Sequence, residues 1–113
     1  MIRRLTTVLL AASTLGLLAG CGSENLEDID PEVGVTQVSV EDYRYGPRVI
    51  QVPAGTEVTW TWEGNDRHNV VGEGFRSDVI RGGTFAHTFT EPGWYLYLCT
   101  LHAGMTGAVS VVE

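Results

Sequence analysis

The sequence predicts an all-β protein built as an antiparallel β-sandwich, and three observations carry that expectation. Short runs alternating between apolar and polar residues recur at close spacing, glycine and proline punctuate them, and no helical period runs through the chain that follows the N-terminal segment. At 113 residues the chain holds one small domain, and a hydrophobic content of 43% excludes a disordered one. No internal repeat is present.

The elements follow in order. Val35–Val40 alternates loosely, as a half-buried strand should. Tyr43–Val52 continues in extended form, broken by Gly46-Pro47, with Ile50 and Val52 on one face, and Pro53-Ala54-Gly55 is a turn. Glu57–Glu63 gives the clearest strand signal. Val58, Trp60 and Trp62 share one face there, and Thr59, Thr61 and Glu63 share the other. Gly64-Asn65-Asp66 turns the chain into His68, and the glycine-rich stretch from Gly72 to Gly83 reads as loop. Thr84–Thr90 alternates again with Phe85, His87 and Phe89 on one face. Glu91-Pro92-Gly93 turns into a strand over Trp94–Cys99, and Ala108–Val112 forms the last strand.

The N-terminus is a targeting segment. Arg3 and Arg4 precede an apolar run from Leu5 to Ala19, too short and too soon followed by polar chain for a membrane span. It closes in Leu18-Ala19-Gly20-Cys21, which resembles the lipobox of prokaryotic lipoproteins, where the cysteine is acylated and becomes the new N-terminus. The expected organisation is a signal peptide over 1–20, an acylated Cys21 with an acidic flexible tether over 21–34, and a folded domain over 35–113. The alternative is an ordinary secretory signal with a chance cysteine, and Arg3-Arg4 leaves the export route open between the general and twin-arginine pathways.

Charge narrows the function classes. Seven arginines, no lysine and fourteen acidic residues give a net charge of −7, and losing residues 1–20 leaves five arginines against the same fourteen acids, or −9. A chain without clustered basic residues is no nucleic-acid binder, and one this acidic does not lie on an anionic membrane by charge, so a lipid must anchor it. The acidity serves solubility or adaptation to high salt. If Cys21 carries lipid, Cys99 is a lone thiol in an oxidising compartment, vulnerable unless something occupies it. A Cys21–Cys99 disulfide would instead tie a flexible tail to the far end of the domain.

Metal ligation would protect Cys99. Cys99-Thr100-Leu101-His102-Ala103-Gly104-Met105 places a thiolate, an imidazole and a thioether on one tight turn between two strands. His68, in Asn65–Val71, supplies a second imidazole from another turn. Two histidines and a cysteine in a plane with a weak axial methionine form the ligand set of an electron-transfer copper site. Taken singly, Cys99 is a small buried hydrophobe, His68 a solvated turn residue and Met105 core filler; all four together sit at turn ends of predicted strands. Zinc is the competing metal, although structural zinc sites favour paired cysteines over methionine. Asn69 is expected beside the ligands, donating its backbone N–H to the Cys99 sulfur. His87, mid-strand between Phe85 and Phe89, is expected to be structural.

From Tyr43 to the C-terminus the chain resembles a plastocyanin-type cupredoxin. The likeness rests on Tyr45-Gly46-Pro47 through Ile50, Val52, Gly55, Val58, Thr59 and Trp60, and on His68-Asn69-Val70-Val71. It continues through Thr88–Gly93 with Tyr95, then Cys99-Thr100-Leu101-His102 with Met105, then Gly107-Ala108-Val109. An acidic, lysine-free, lipid-anchored form most resembles the halocyanins of salt-loving archaea. Leu101 stands where many relatives carry proline, and the C-x-x-H-x-x-M spacing is closer to the short ligand loop of the amicyanin type. The resemblance implies a cupredoxin-like Greek-key β-sandwich holding one copper ion between His68, Cys99, His102 and Met105. It further implies a lipid-anchored, non-enzymatic shuttle that passes single electrons, cycling Cu(II)/Cu(I), between transient donor and acceptor proteins outside the cytoplasmic membrane. Leu101, Ala103 and Gly104, with Thr106, would form the docking collar around His102, and the acidic surface would favour a basic partner. The alternative is an extracytoplasmic copper-binding or delivery protein, which would be expected to be richer in methionine and histidine. A copper oxidase or nitrite reductase would need more histidines than three.

Overall fold

The computed structural model describes residues 25–113. The expected signal peptide and Cys21 lie outside them. A short 3-10 helix, Leu26–Asp28, is followed by ten strands: β1 Glu32–Val33, β2 Gln37–Glu41, β3 Arg44–Gly46, β4 Val49–Pro53, β5 Thr56–Trp62, β6 Val71–Gly72, β7 Phe75–Arg76, β8 Gly83–Phe89, β9 Gly93–Leu98 and β10 Thr106–Val112. They form two sheets, one in the order β1-β4-β10-β9-β6-β7 and the other in the order β3-β2-β5-β8.

The β-sandwich is as the alternation predicts, but the sheets are mixed rather than purely antiparallel. β1 with β4, β4 with β10, and β2 with β5 run parallel. The chain leaves one sheet for the other between β3 and β4 and returns at β5, so β2 meets β5 after a crossover. Alternation along a strand reports which face is buried and carries no information about the partner's direction.

The core lies between the sheets. Trp60, fully buried on β5, is packed by Phe75, Phe85, Phe89 and Tyr97 at centroid distances of 5.4–6.3 Å. Val58 and Trp62 share its face, and Val38, Val40, Ile50, Val52, Val109 and Val111 fill the remainder.

Two stretches are more ordered than the pattern suggests. The glycine-rich loop contains the β6–β7 hairpin, which drives Phe75 into the core. A Cβ on Gly72 would collide with the Phe75 ring, so the glycine makes room for it. His87 also belongs to this packing, stacked on Phe75 at 5.0 Å.

Part of the expected tether is folded as well. Leu26 is 5% exposed against Val49 and Ala108, Asn25 caps its helical turn, and β1 pairs with β4. A single leucine among acids has no periodicity, so the sequence pattern misses it. Replacing Leu26 with Ala is expected to cost about 2 kcal/mol in urea unfolding with an unchanged m-value. No loss would return this segment to the tether.

Candidate metal centre

The turn from Cys99 to Met105 is a hairpin loop. β9 ends at Leu98, β10 starts at Thr106, these two residues pair, and the Cys99 N–H donates to the Met105 carbonyl at 3.0 Å. Gly104, at φ +79°, takes the left-handed backbone this closure requires. His68 arrives from the other side on an isolated antiparallel bridge with Ile80, held by two backbone hydrogen bonds of 3.0 and 3.1 Å.

These two supports bring three donor atoms together. His68 Nδ1 lies 3.2 Å from His102 Nδ1, and Cys99 Sγ lies 3.9 Å from the first and 3.7 Å from the second. His68 is fully buried and Cys99 4% exposed, while His102 is partly exposed. A first-row ion with nitrogens at about 2.0 Å and a thiolate at about 2.3 Å, spread evenly in a plane, needs N···N near ~3.5 Å and N···S near ~3.7 Å. The N···S spacings of 3.7 and 3.9 Å and the N···N spacing of 3.2 Å lie close to those values. Among the described residues, His68, Cys99 and His102 are the His, Cys and acidic side chains whose ligand atoms gather this closely.

The orientation of the His68 ring points the same way. Its Nε2 lies 2.9 Å from Asp42 Oδ1. Asp42 is held down at about 2, first by this hydrogen bond and then by the backbone N–H groups of Asp66 and Asn65. An ionised carboxylate only accepts, so His68 donates from Nε2. Its Nδ1, buried and facing His102 Nδ1 and Cys99 Sγ, is the nitrogen left toward the cluster, as a metal ligand requires.

Further contacts fix both loops. The Asn69 side chain accepts from the Thr100 N–H at 2.8 Å and donates to Thr100 Oγ1 at 2.9 Å, clamping the His68 segment to the cysteine turn. Asn69 therefore serves the site through its side chain to Thr100, where the sequence suggested a backbone N–H to sulfur. Tyr45 donates its hydroxyl to the Asn69 carbonyl at 2.6 Å, and Trp62 Nε1 donates to the His68 carbonyl at 3.0 Å. Burial, with the Cys99 charge adding to it, pushes the Tyr45 phenol well above its ordinary range, so it remains a donor. Met105 is 1% exposed and shares the core with Cys99, its N–H bonded to the His102 carbonyl at 3.3 Å.

Sequence reasoning did not find Asp42 or Tyr43. Asp42 is 26 residues from His68, and nothing in the pattern links them. Gly64 gives an indirect sign, since a Cβ there would collide with the Asp42 carboxylate. Tyr43 adopts φ +70°, a left-handed conformation costly for a tyrosine. Its 66%-exposed ring stands edge-on to His102 at 4.9 Å.

No protein-family model matches the chain. It is 33% identical to amicyanin-alpha of Methylorubrum extorquens over 109 residues, spanning 88% of each chain. This chain belongs to the cupredoxins, the blue copper proteins. Within the cupredoxins it is 42% identical to a halocyanin of Natronomonas pharaonis over 92 residues, or 73% of this chain; the match spans just over half of that relative, 56%. Among solved structures it is similar to a purple cupredoxin from Nitrosopumilus maritimus (TM-score 0.65, 29% identity, 69% of this chain and all of that one). It also matches 23% of a copper-containing nitrite reductase from Thermus scotoductus (TM-score 0.63, 27% identity, 74% of this chain), so the cupredoxin fold occurs within an enzyme too.

Asp42 thus both orients His68 and ties down the turn that carries it. Replacing Asp42 with Ala is expected to lower copper affinity roughly ten- to a hundredfold, read by competition with a chelator of known affinity. Unchanged affinity would show that His68 is held without it.

Proposed function

We propose that this protein is a membrane-anchored carrier of single electrons that holds one copper ion between His68, Cys99, His102 and Met105. The observation that carries the reading is the convergence of two Nδ1 atoms and one thiol sulfur at spacings that suit a planar three-donor site. Copper, when bound, supplies a one-electron couple.

The residues divide the work. Asp42 and the Asn69–Thr100 clamp keep His68 and Cys99 in place from two separate loops, so neither oxidation state draws the ligands to its own preferred geometry. Met105, buried in the core with Cys99, would add a weak thioether ligand. The core around Cys99 excludes water, and His102, partly exposed beside Leu101, offers the edge through which an electron leaves. Leu101 is 45% exposed and Ala103 and Gly104 are also exposed, a small collar suited to brief contacts. A delivery protein would be expected to release its metal readily, and buried ligands held by this many hydrogen bonds favour retention.

Anchoring is assigned to Cys21 on the lipobox-like Leu18-Ala19-Gly20-Cys21, which leaves the domain outside the cytoplasmic membrane. No helix among the described residues is long and apolar enough to cross a membrane.

Copper(II) added to the protein is expected to give an intense blue thiolate-to-copper band with narrow copper hyperfine splitting, both abolished by Cys99→Ser. A pale site with wide splitting would overturn the carrier reading and favour metal handling. Cys21→Ala is expected to move the protein from the membrane to the soluble fraction of a host that processes lipoproteins.

A further inference from the structure

The charge of the whole chain and the charge beside the electron exit are opposite. An open cleft of about 400 Å³ at the His102 edge is lined by Asp66, Arg67, Arg81, Leu101 and His102. Two of the five arginines in residues 21–113 therefore meet in one cleft, against one acid. The His68–Ile80 bridge puts them there, because Arg67 precedes one partner and Arg81 follows the other.

Nothing within the fold accounts for this pairing. Arg44 pairs with Glu41 at 2.9 Å, and Arg48 bonds the Thr106 hydroxyl at 2.9 Å. Arg67 and Arg81 are exposed and have no ion-pair partner among the described residues. Like charges brought together across an antiparallel bridge destabilise it. Glu57, Glu91 and Glu113 are exposed toward the opposite end of β5, β8 and β10, while Glu63, just past β5, and Asp66 are exposed at the site end.

We propose that the His102 rim is a cationic docking surface, with Arg67 and Arg81 as its contact charges, for a redox protein that is acidic around its own exit edge. The inference rests on the electron-carrier reading. It reverses the expectation from net charge, under which the partner would be basic. A basic partner would be drawn to the acidic body, away from His102. An acidic partner is repelled by the body and attracted at the rim, so its encounters are oriented onto the exit edge. A carboxylate of that partner would sit between the two guanidinium groups, beside Leu101.

Small redox probes read the local charge without the partner in hand. The copper-loaded, reduced protein is oxidised in stopped flow by hexacyanoferrate(III), an anion, and in parallel by tris(phenanthroline)cobalt(III), a cation. In each case one electron leaves the protein, the probe is reduced by one electron, and no bond forms or breaks. The anion's rate is expected to fall as salt is added, despite the net charge of −9 on residues 21–113. In the Arg67→Gln/Arg81→Gln double variant that rate is expected to drop about tenfold and to lose its salt dependence, while the cation's rate holds or rises. The blue band of the variant reports an intact site, and its measured potential corrects for driving force.

An anion rate that rises with salt in the wild type, or that is unchanged in the variant, overturns the docking proposal and leaves the carrier reading standing. A protein with no blue band loses both.

Discussion

An ionised carboxylate accepts hydrogen bonds and donates none, and the site follows from that constraint. Asp42 meets His68 Nε2 at 2.9 Å, so Nε2 of this buried imidazole donates to the carboxylate and Nδ1 is turned to the cluster. Without the carboxylate, Nε2 would lose its acceptor and the ring its fixed orientation toward His102 and Cys99. The same carboxylate receives the N–H groups of Asn65 and Asp66 at 3.0–3.1 Å, shaping the turn that delivers His68. One side chain thus sets the ring orientation and the approach of His68 at once.

The rest of the fold keeps the second loop in register with the first. β9 and β10 are paired from Leu98 with Thr106 to Gly93 with Val111, so the seven-residue loop between them is closed at its base. The Asn69–Thr100 clamp joins that loop to the His68 segment. Tyr45 and Trp62 anchor the backbone carbonyls of Asn69 and His68 from the core below. Trp62 also ends the β5 strand whose Trp60 organises the aromatic core, so the packing between the sheets and the geometry of the donors are mechanically continuous.

How much of this was legible in the sequence depended on what kind of signal each residue leaves. β5 and β8 announce themselves through alternation, and the ligands through scarcity, since a chain with three histidines and two cysteines offers few ways to assemble a site. Parallel pairing left no trace, because the period of a strand does not depend on its neighbour's direction. Leu26 and Phe75 are single apolar residues in polar or glycine-rich chain, and their burial follows from tertiary packing alone. Asp42 was one of fourteen acids, and only the folded chain brings it to His68. Arg67 and Arg81 were hidden by the net charge, since an overall count cannot show that a bridge between residues twelve apart places two cations at one rim.

Two loops held in this way fix the donor set in advance, so that little should move when an electron arrives. X-ray absorption at the copper edge, recorded on the loaded protein in both oxidation states, tests it most directly. Two nitrogen scatterers at about 2.0 Å and one sulfur at about 2.3 Å are expected, essentially the same in Cu(II) and Cu(I). A sphere lacking the short sulfur, or one that changes its number of close ligands on reduction, would contradict it.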